Sequence, residues 1–98
     1  MKNFRTLTLA IQFHQDCQGF KLSSIARDQF ERALLSIPLN LSEGAAKPTE
    51  RDRSKFYFTA LGSMREIQTL LELFGPKDLI LKADLLAAHI YRLCHPHR

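Results

Sequence analysis

Apolar residues recur every three or four positions in four separate stretches of the chain, the spacing expected of helices that each bury one face. Gly19, Gly44 and Gly75 separate the stretches, and no stretch shows the alternation of a half-buried strand. The pattern predicts helices over about residues 3–17, 23–44, 50–74 and 77–93. Their predicted inward residues are Leu7, Ala10, Ile11 and His14; Ile25, Phe30, Ala33, Leu34, Ile37 and Leu41; Tyr57, Ala60, Met64, Ile67, Leu71 and Phe74; and Leu79, Ala83, Leu86, Ile90 and Leu93.

Short connections between these helices predict an all-α, antiparallel up-down-up-down four-helix bundle, because a short loop makes successive helices antiparallel. The 98 residues form one predicted domain, 1–98, of ordinary globular composition, with 45% hydrophobic and 24% charged residues. Gly44 is predicted to end the second helix in a left-handed conformation. Thr49 is predicted to cap the third helix, with Asp52 three residues later.

Pro38 lies inside the second predicted helix, where a proline costs about 3 kcal/mol and leaves the carbonyl of Leu34 without its helical partner. This predicts a kink, with Ser36 or Asn40 as the replacement donor. A polar stripe of Arg32, Ser36, Asn40 and Glu43 flanks the apolar face of the same helix. The stripe is either a solvated face or a polar network that meets Ser63 and Glu66 of the third helix, where the small residues Gly62 and Ser63 would admit another backbone.

The segment from Gln29 to Glu66 carries a specific pattern. It contains Q-x-x-R-A, then S-I-P-x-N-L-x-E-G, a loop with a Thr cap, and F-x-x-x-A-x-G-S-x-x-E beginning at Phe56. This pattern resembles the four-helix-bundle family of proteins encoded by intervening sequences in bacterial large-subunit ribosomal RNA genes. That family is similar to the accessory variability proteins of diversity-generating retroelements.

The resemblance implies a cytoplasmic bundle without known enzymatic activity that self-assembles, commonly into a homopentamer. For the retroelement branch it further implies a basic ring that binds nucleic acid and a reverse transcriptase. The motifs do not place the chain in or outside that branch. A purely structural scaffold that contacts only protein is the alternative function.

Assembly has independent support in apolar residues that point away from the predicted core. Leu35 and Leu39 on the second helix, with Phe58 and Leu61 on the third, form two such stripes, which predict an oligomer interface. Scattered surface leucines are the alternative interpretation.

The charge of the chain permits binding to a polyanion. The net charge is +4 and the isoelectric point is about 9.4. One local concentration, Lys47, Arg51, Arg53 and Lys55, is either a solvated first turn or a nucleic-acid-binding surface that symmetry would repeat around a ring. No stacking platform and no recognition-helix signature are visible, so sequence-specific readout is not predicted.

Catalytic and metal-binding patterns are largely missing from the sequence. No Glu-x-x-His pair and no glycine-rich phosphate loop occur, so no metal, cofactor or enzyme activity is predicted. The cysteine and two histidines of residues 94–97 read as a tail rather than as a metal site. Arg92 and His97 have the spacing of HEPN-type RNases, but Pro96 between them is expected to end the helix, so that His97 would not be held facing Arg92.

The first residues are basic and then apolar, but Gln12 and His14 interrupt the apolar run and no cleavage site follows. No stretch is long enough to span a membrane. These features predict a cytoplasmic protein in which Cys17 and Cys94 stay reduced, at opposite ends of the bundle.

Overall fold

The computed structural model describes the backbone of residues 2–97 and the side chains of residues 5–97. Within that part of the chain there are four helices and no strand, so the predicted all-α class is confirmed. The helices are α1 (Lys2–Asp16), α2 (Ser24–Ala45), α3 (Glu50–Phe74) and α4 (Lys77–Cys94).

Each helix packs against two neighbours, α1 and α3 both lying against α2 and α4, as in a four-helix bundle. The contacts between α2 and α3 indicate their direction. Ser36 meets Ser63, whereas Gly44, later in α2, meets Tyr57, earlier in α3. Contacts of α3 with α4 and the segment after it follow the same order, from Gln68 with Asp84 to Glu50 with His97. These neighbours therefore run in opposite directions.

The core runs along the middle of the bundle and takes residues from all four helices. From Tyr57 to Leu71, every third or fourth residue of α3 is buried, which is the helical period that the sequence predicts. Six fully enclosed positions lie on α3 and α4: Ala60, Met64, Ile67, Leu71, Ala83 and Ile90.

Three predicted inward residues are instead exposed: Ile11, Ile25 and Phe74. Ile25 lies in the first turn of α2 and Phe74 is the last residue of α3, so both lie beyond the cover of neighbouring helices. In α1 the buried face is rotated from the predicted one, and Ile11 lies outside it. That face consists of Thr6, Ala10 and Phe13, and continues to Cys17 just after the helix.

The prediction that Gly44 ends α2 in a left-handed conformation is wrong. The helix continues to Ala45, and among the described glycines the positive φ belongs to Gly19. Gly44 is buried where α3 approaches α2. A Cβ atom there would lie 2.8 Å from Cε1 of Tyr57 and 2.9 Å from Cβ of Phe56. Gly62, which the sequence predicts as the point of close approach, has nothing within 4 Å of such an atom. The close approach is therefore at Gly44 and not at Gly62.

Helix α2 continues through Pro38 without a break. The Asn40 side chain, predicted as a partner for the Leu34 carbonyl, instead donates to the Ser36 carbonyl at 2.9 Å. At the start of α3 the predicted cap is confirmed, because the Thr49 hydroxyl accepts a hydrogen bond from the Asp52 backbone N–H at 3.2 Å.

No helix in residues 2–97 combines the length and the apolar character needed to cross a bilayer. Cys17 and Cys94 are buried free thiols. The ion pair between Asp16 and Lys82 places the end of α1 beside the first half of α4. Lys82 and Cys94 are about 18 Å apart along α4 at the usual helical rise. The two cysteines therefore lie towards opposite ends of the bundle.

Burial makes both thiols unreactive. It raises the pKa of Cys17 from 9.0 to about 12, with a further contribution from the Asp16 carboxylate, and the pKa of Cys94 from 9.0 to about 11. At pH 8 we expect the native thiols to react with dithionitrobenzoate about a hundredfold or more slowly than in guanidinium, since each pKa unit lowers the thiolate fraction tenfold.

The same shifts predict how stability depends on pH. Between about pH 9 and 12 the unfolded thiols release protons that the folded ones retain, so the free energy of unfolding falls as pH rises. For the labelling experiment, equal rates of reaction with dithionitrobenzoate in the native and the denatured protein would show that the thiols are accessible.

Candidate nucleic-acid interface

A cleft of about 620 Å³ lies at one end of the bundle, between the start of α3 and the end of α4. Arg51, Arg53 and Ser54 line it from α3, and Arg92 and His97 line it from α4 and the segment that follows. The antiparallel packing of α3 on α4 brings these two distant parts of the sequence together. The volume lies in the usual range for ligand sites.

The three arginines of the cleft differ in their bonding. Arg53 donates through Nη1 to the backbone carbonyl of Lys47 at 3.1 Å, which holds its guanidinium at the end of α2. The guanidinium groups of Arg51 and Arg92 have no hydrogen bond or ion pair to any described residue. Two planar groups of fixed positive charge are therefore free to bind phosphate oxygens, which guanidinium contacts in a bidentate manner.

The positive charge of Arg92 also affects the protonation of His89. The pKa of His89 is lowered by partial burial and then by the nearby positive charges of Arg92 and Arg5. The neutral form of His89 is therefore favoured.

Two carboxylates near the cleft are paired. Both oxygens of Glu50 lie 3.0 Å from Nε2 of His97, and Asp52 lies 3.8 Å from Nζ of Lys55. Both acids are in the first turn of α3, where they also complement the helix dipole. Glu50 also lines the cleft, where three arginines accompany this one carboxylate, so the balance of fixed charge is positive.

Two of the four predicted nucleic-acid-binding residues, Arg51 and Arg53, line the cleft. Lys47 instead lies over the Phe56 ring, with Nζ 5.2 Å from its centroid, and Lys55 is exposed beside Asp52. Sequence reasoning did not add Arg92 to this cluster, because only the folded bundle places the end of α4 beside the start of α3.

An aromatic cluster joins α3 to the end of α4. The rings of Tyr91 and His95 are stacked with centroids 4.0 Å apart, and Phe58 lies edge-on to His95 at 5.6 Å. A contact of 2.9 Å between Nδ1 of His95 and the Tyr91 carbonyl holds the imidazole in place. Phe58 is 47% exposed and Tyr91 44% exposed. The sequence shows no stacking platform, but the fold assembles an aromatic surface from two helices.

The predicted polar network is smaller in the structure. Ser63 donates to the Ser36 hydroxyl at 2.9 Å, and the Asn40 amide donates to the same hydroxyl at 2.9 Å. These three residues form a partly buried cluster between α2 and α3. Three other predicted members lie exposed outside it, without side-chain hydrogen bonds or ion pairs to the described residues: Arg32, Glu43 and Glu66.

The Ser36–Ser63 contact predicts an energetic coupling between α2 and α3. We expect Ser36→Ala and Ser63→Ala each to lower the free energy of unfolding by about 1 kcal/mol. The double variant should lose less than the sum of the two, by about 0.5 kcal/mol or more. Urea unfolding of the four proteins of this cycle measures the coupling, and strict additivity would contradict a direct bond.

The four predicted interface residues lie in different surroundings on the bundle. Phe58 meets His95 on the α4 side of α3, and Leu61 is half-buried against the core. Leu35 borders a cleft shared with His14 of α1, and Leu39 is exposed on α2. Other large apolar side chains are also exposed: Ile11, Ile25, Leu73, Phe74, Leu81 and Leu85.

Arg92 and His97 line the same cleft, although Pro96 follows the end of α4. The helix ends at Cys94, before Pro96, as expected, and the pairing of His97 with Glu50 holds the following segment across the start of α3. Among the described side chains, no group of three or more His, Cys, Asp or Glu is placed to hold a metal ion.

Of three comparisons with known proteins, one identifies a match, to a protein family. No curated protein and no solved structure matches the chain. The family model described as 23S rRNA-intervening sequence protein matches residues 4–94. The match extends from α1 to the last residue of α4. The chain therefore belongs to the 23S rRNA-intervening sequence protein family.

Proposed function

We propose that this protein is a non-enzymatic, self-assembling helical bundle of the cytoplasm that binds RNA or DNA without sequence specificity. The observation that carries the proposal is the basic cleft, in which Arg51 and Arg92 have no partner among the described residues and Arg53 is held beside them. Phosphate contacts of this kind give affinity without reading sequence.

Assembly would strengthen this binding. Each copy carries a net charge of +4, and a ring would repeat the cleft around its axis, so that contacts to one strand add together. Exposed apolar side chains, Leu39 and Leu81 among them, supply surface for association. A homopentamer is the assembly that the resemblance favours, with a reverse transcriptase as a further partner in the retroelement branch.

The salt dependence of RNA binding tests the proposal. We expect affinity for an unstructured RNA to fall steeply between 50 and 200 mM salt, on the order of several logarithmic units if many phosphates are contacted. The double variant Arg51→Gln/Arg92→Gln, which removes the two unpaired guanidinium groups of the cleft, should lower the slope by about one for each phosphate contact that is lost.

A matched control removes two charges elsewhere. Lys21 and Arg27 are exposed near the start of α2, at the other end of the bundle. Lys21→Gln/Arg27→Gln should leave the slope unchanged. If the wild-type protein shows no salt-sensitive binding, the alternative function of a scaffold that contacts only protein replaces this proposal.

One observation favours RNA cleavage as a second candidate function. The imidazole of His97 and the carboxylate of Glu50 form a pair at 3.0 Å in the cleft that Arg92 also lines, so a proton-transfer pair and a cation share one site. Incubation of end-labelled RNA with the wild-type protein, Arg92→Ala and His97→Ala distinguishes the candidates. Intact RNA in all three supports binding alone, and cleavage lost in both variants supports the enzyme.

A further inference from the structure

We propose that the nucleic acid bound by this protein is single-stranded, with its phosphates in the basic cleft and an unpaired base on the aromatic cluster of Phe58, Tyr91 and His95. The inference rests on the proposed function and adds the strandedness of the ligand. It follows from the position of the two surfaces, from the exposure of the rings and from the charge of the cleft.

The basic cleft and the aromatic cluster are continuous. Along α3, Ser54 of the cleft precedes Phe58 of the cluster by four residues, which places both on one side of the helix about one turn apart. Along the chain after α4, His95 of the cluster precedes His97 of the cleft by two residues. A strand whose phosphate lies against Arg51 or Arg92 therefore has the aromatic rings within the reach of a neighbouring nucleotide.

The aromatic rings distinguish a single strand from a duplex. Guanidinium groups bind the phosphates of either, whereas a stacking surface is usable only by a base that is not already stacked and paired. Phe58 and Tyr91 leave 47% and 44% of their surface exposed, so ring area is available to such a base. Stacking of one base on an aromatic side chain raises affinity by roughly five- to a hundredfold.

The same surface could instead be covered by a second copy of this chain. The charge of the cleft favours the nucleic acid. Arg51, Arg53 and Arg92 converge there, so a two-fold contact centred on this surface would bring two identical positive ends together. The contacts of a pentameric ring join two different surfaces, and the assembly of the aromatic variants, measured below, tests whether such a contact covers the cluster. A polyanion neutralises these groups, whereas an identical positive surface repels them.

Fluorescence anisotropy with labelled 12-nucleotide probes tests the inference. The probes are unstructured RNA, unstructured DNA and a blunt DNA duplex, measured at one salt concentration with the full-length chain. We expect both single strands to bind at least about fivefold more tightly than the duplex. Tyr91→Ala should remove this preference while leaving duplex affinity unchanged, and Phe58→Leu, which keeps an apolar side chain, should weaken it.

Phe74→Ala is the matched control, because Phe74 is an exposed aromatic residue at the other end of α3. It should keep the preference. Equal binding of single strands and duplex, with normal salt dependence, would overturn the inference and leave the proposed function standing. Absence of binding to all probes would overturn both. Loss of assembly in Tyr91→Ala and Phe58→Leu, with the preference for single strands retained, would assign the aromatic cluster to contacts between copies and overturn the inference.

Discussion

Replacing Leu71 by alanine is expected to lower the free energy of unfolding by about 3 kcal/mol, the largest effect of a single substitution that we predict. Leu71 is 0% exposed and lies in the α3 layer of the core. Truncation removes apolar contacts and leaves a cavity that the surrounding helices fill only partly. In a domain of this size the loss corresponds to a decrease in Tm of about 12–24 °C.

Leu73→Ala is the matched control two residues later. Leu73 is 66% exposed, so the same truncation removes little buried surface and should change the free energy of unfolding by less than about 0.5 kcal/mol. Both variants are compared with the wild type by urea unfolding at one protein concentration, because assembly couples stability to concentration. Equal losses for the two leucines would contradict the orientation of the last turns of α3.

Gly44→Ala is expected to lower the free energy of unfolding by about 2 kcal/mol, although alanine is the better helix former by about 1 kcal/mol. The new methyl group would lie 2.8 Å from Cε1 of Tyr57 and 2.9 Å from Cβ of Phe56. Tyr57 is buried and Cβ of Phe56 is fixed to the backbone, so neither yields without movement of α3. The helices must separate locally, and the packing between α2 and α3 is lost.

Gly62→Ala, on the neighbouring helix α3, is expected to have the opposite effect on stability. Nothing lies within 4 Å of a Cβ atom at Gly62, so the gain in helix propensity is not offset and stability should rise by about 1 kcal/mol. Thermal unfolding followed by circular dichroism measures both variants. Stabilisation by both substitutions would show that α3 does not approach α2 at Gly44.

The helices and most of the core follow from the sequence because their signals are local. Apolar spacing along α3 and α4 predicts the burial seen from Tyr57 to Leu71 and from Leu79 to Ile90, although not the exposure of Phe74 at the end of α3. Thr49 predicts the start of α3. The roles of Gly44 and Gly62 could not be distinguished in this way. A glycine in a helix indicates that a backbone comes close, but whether one does depends on the packing of a partner helix.

The candidate site was only partly predictable for the same reason. Arg51 and Arg53 are neighbours in sequence and were identified together, whereas Arg92 joins them only through the packing of α3 on α4. The aromatic cluster combines a local pair, Tyr91 with His95, and a distant residue, Phe58. The exposed charges Arg32, Glu43 and Glu66 match the family pattern, and their placement in the fold gives them no partner among the described residues.

Sedimentation velocity of the protein with and without a labelled single-stranded RNA, at low and at high salt, tests the central claim most directly. We expect a species larger than the 11.3 kDa chain that carries the RNA at low salt and releases it at high salt. A single-chain species that sediments separately from the RNA under both conditions would contradict the account.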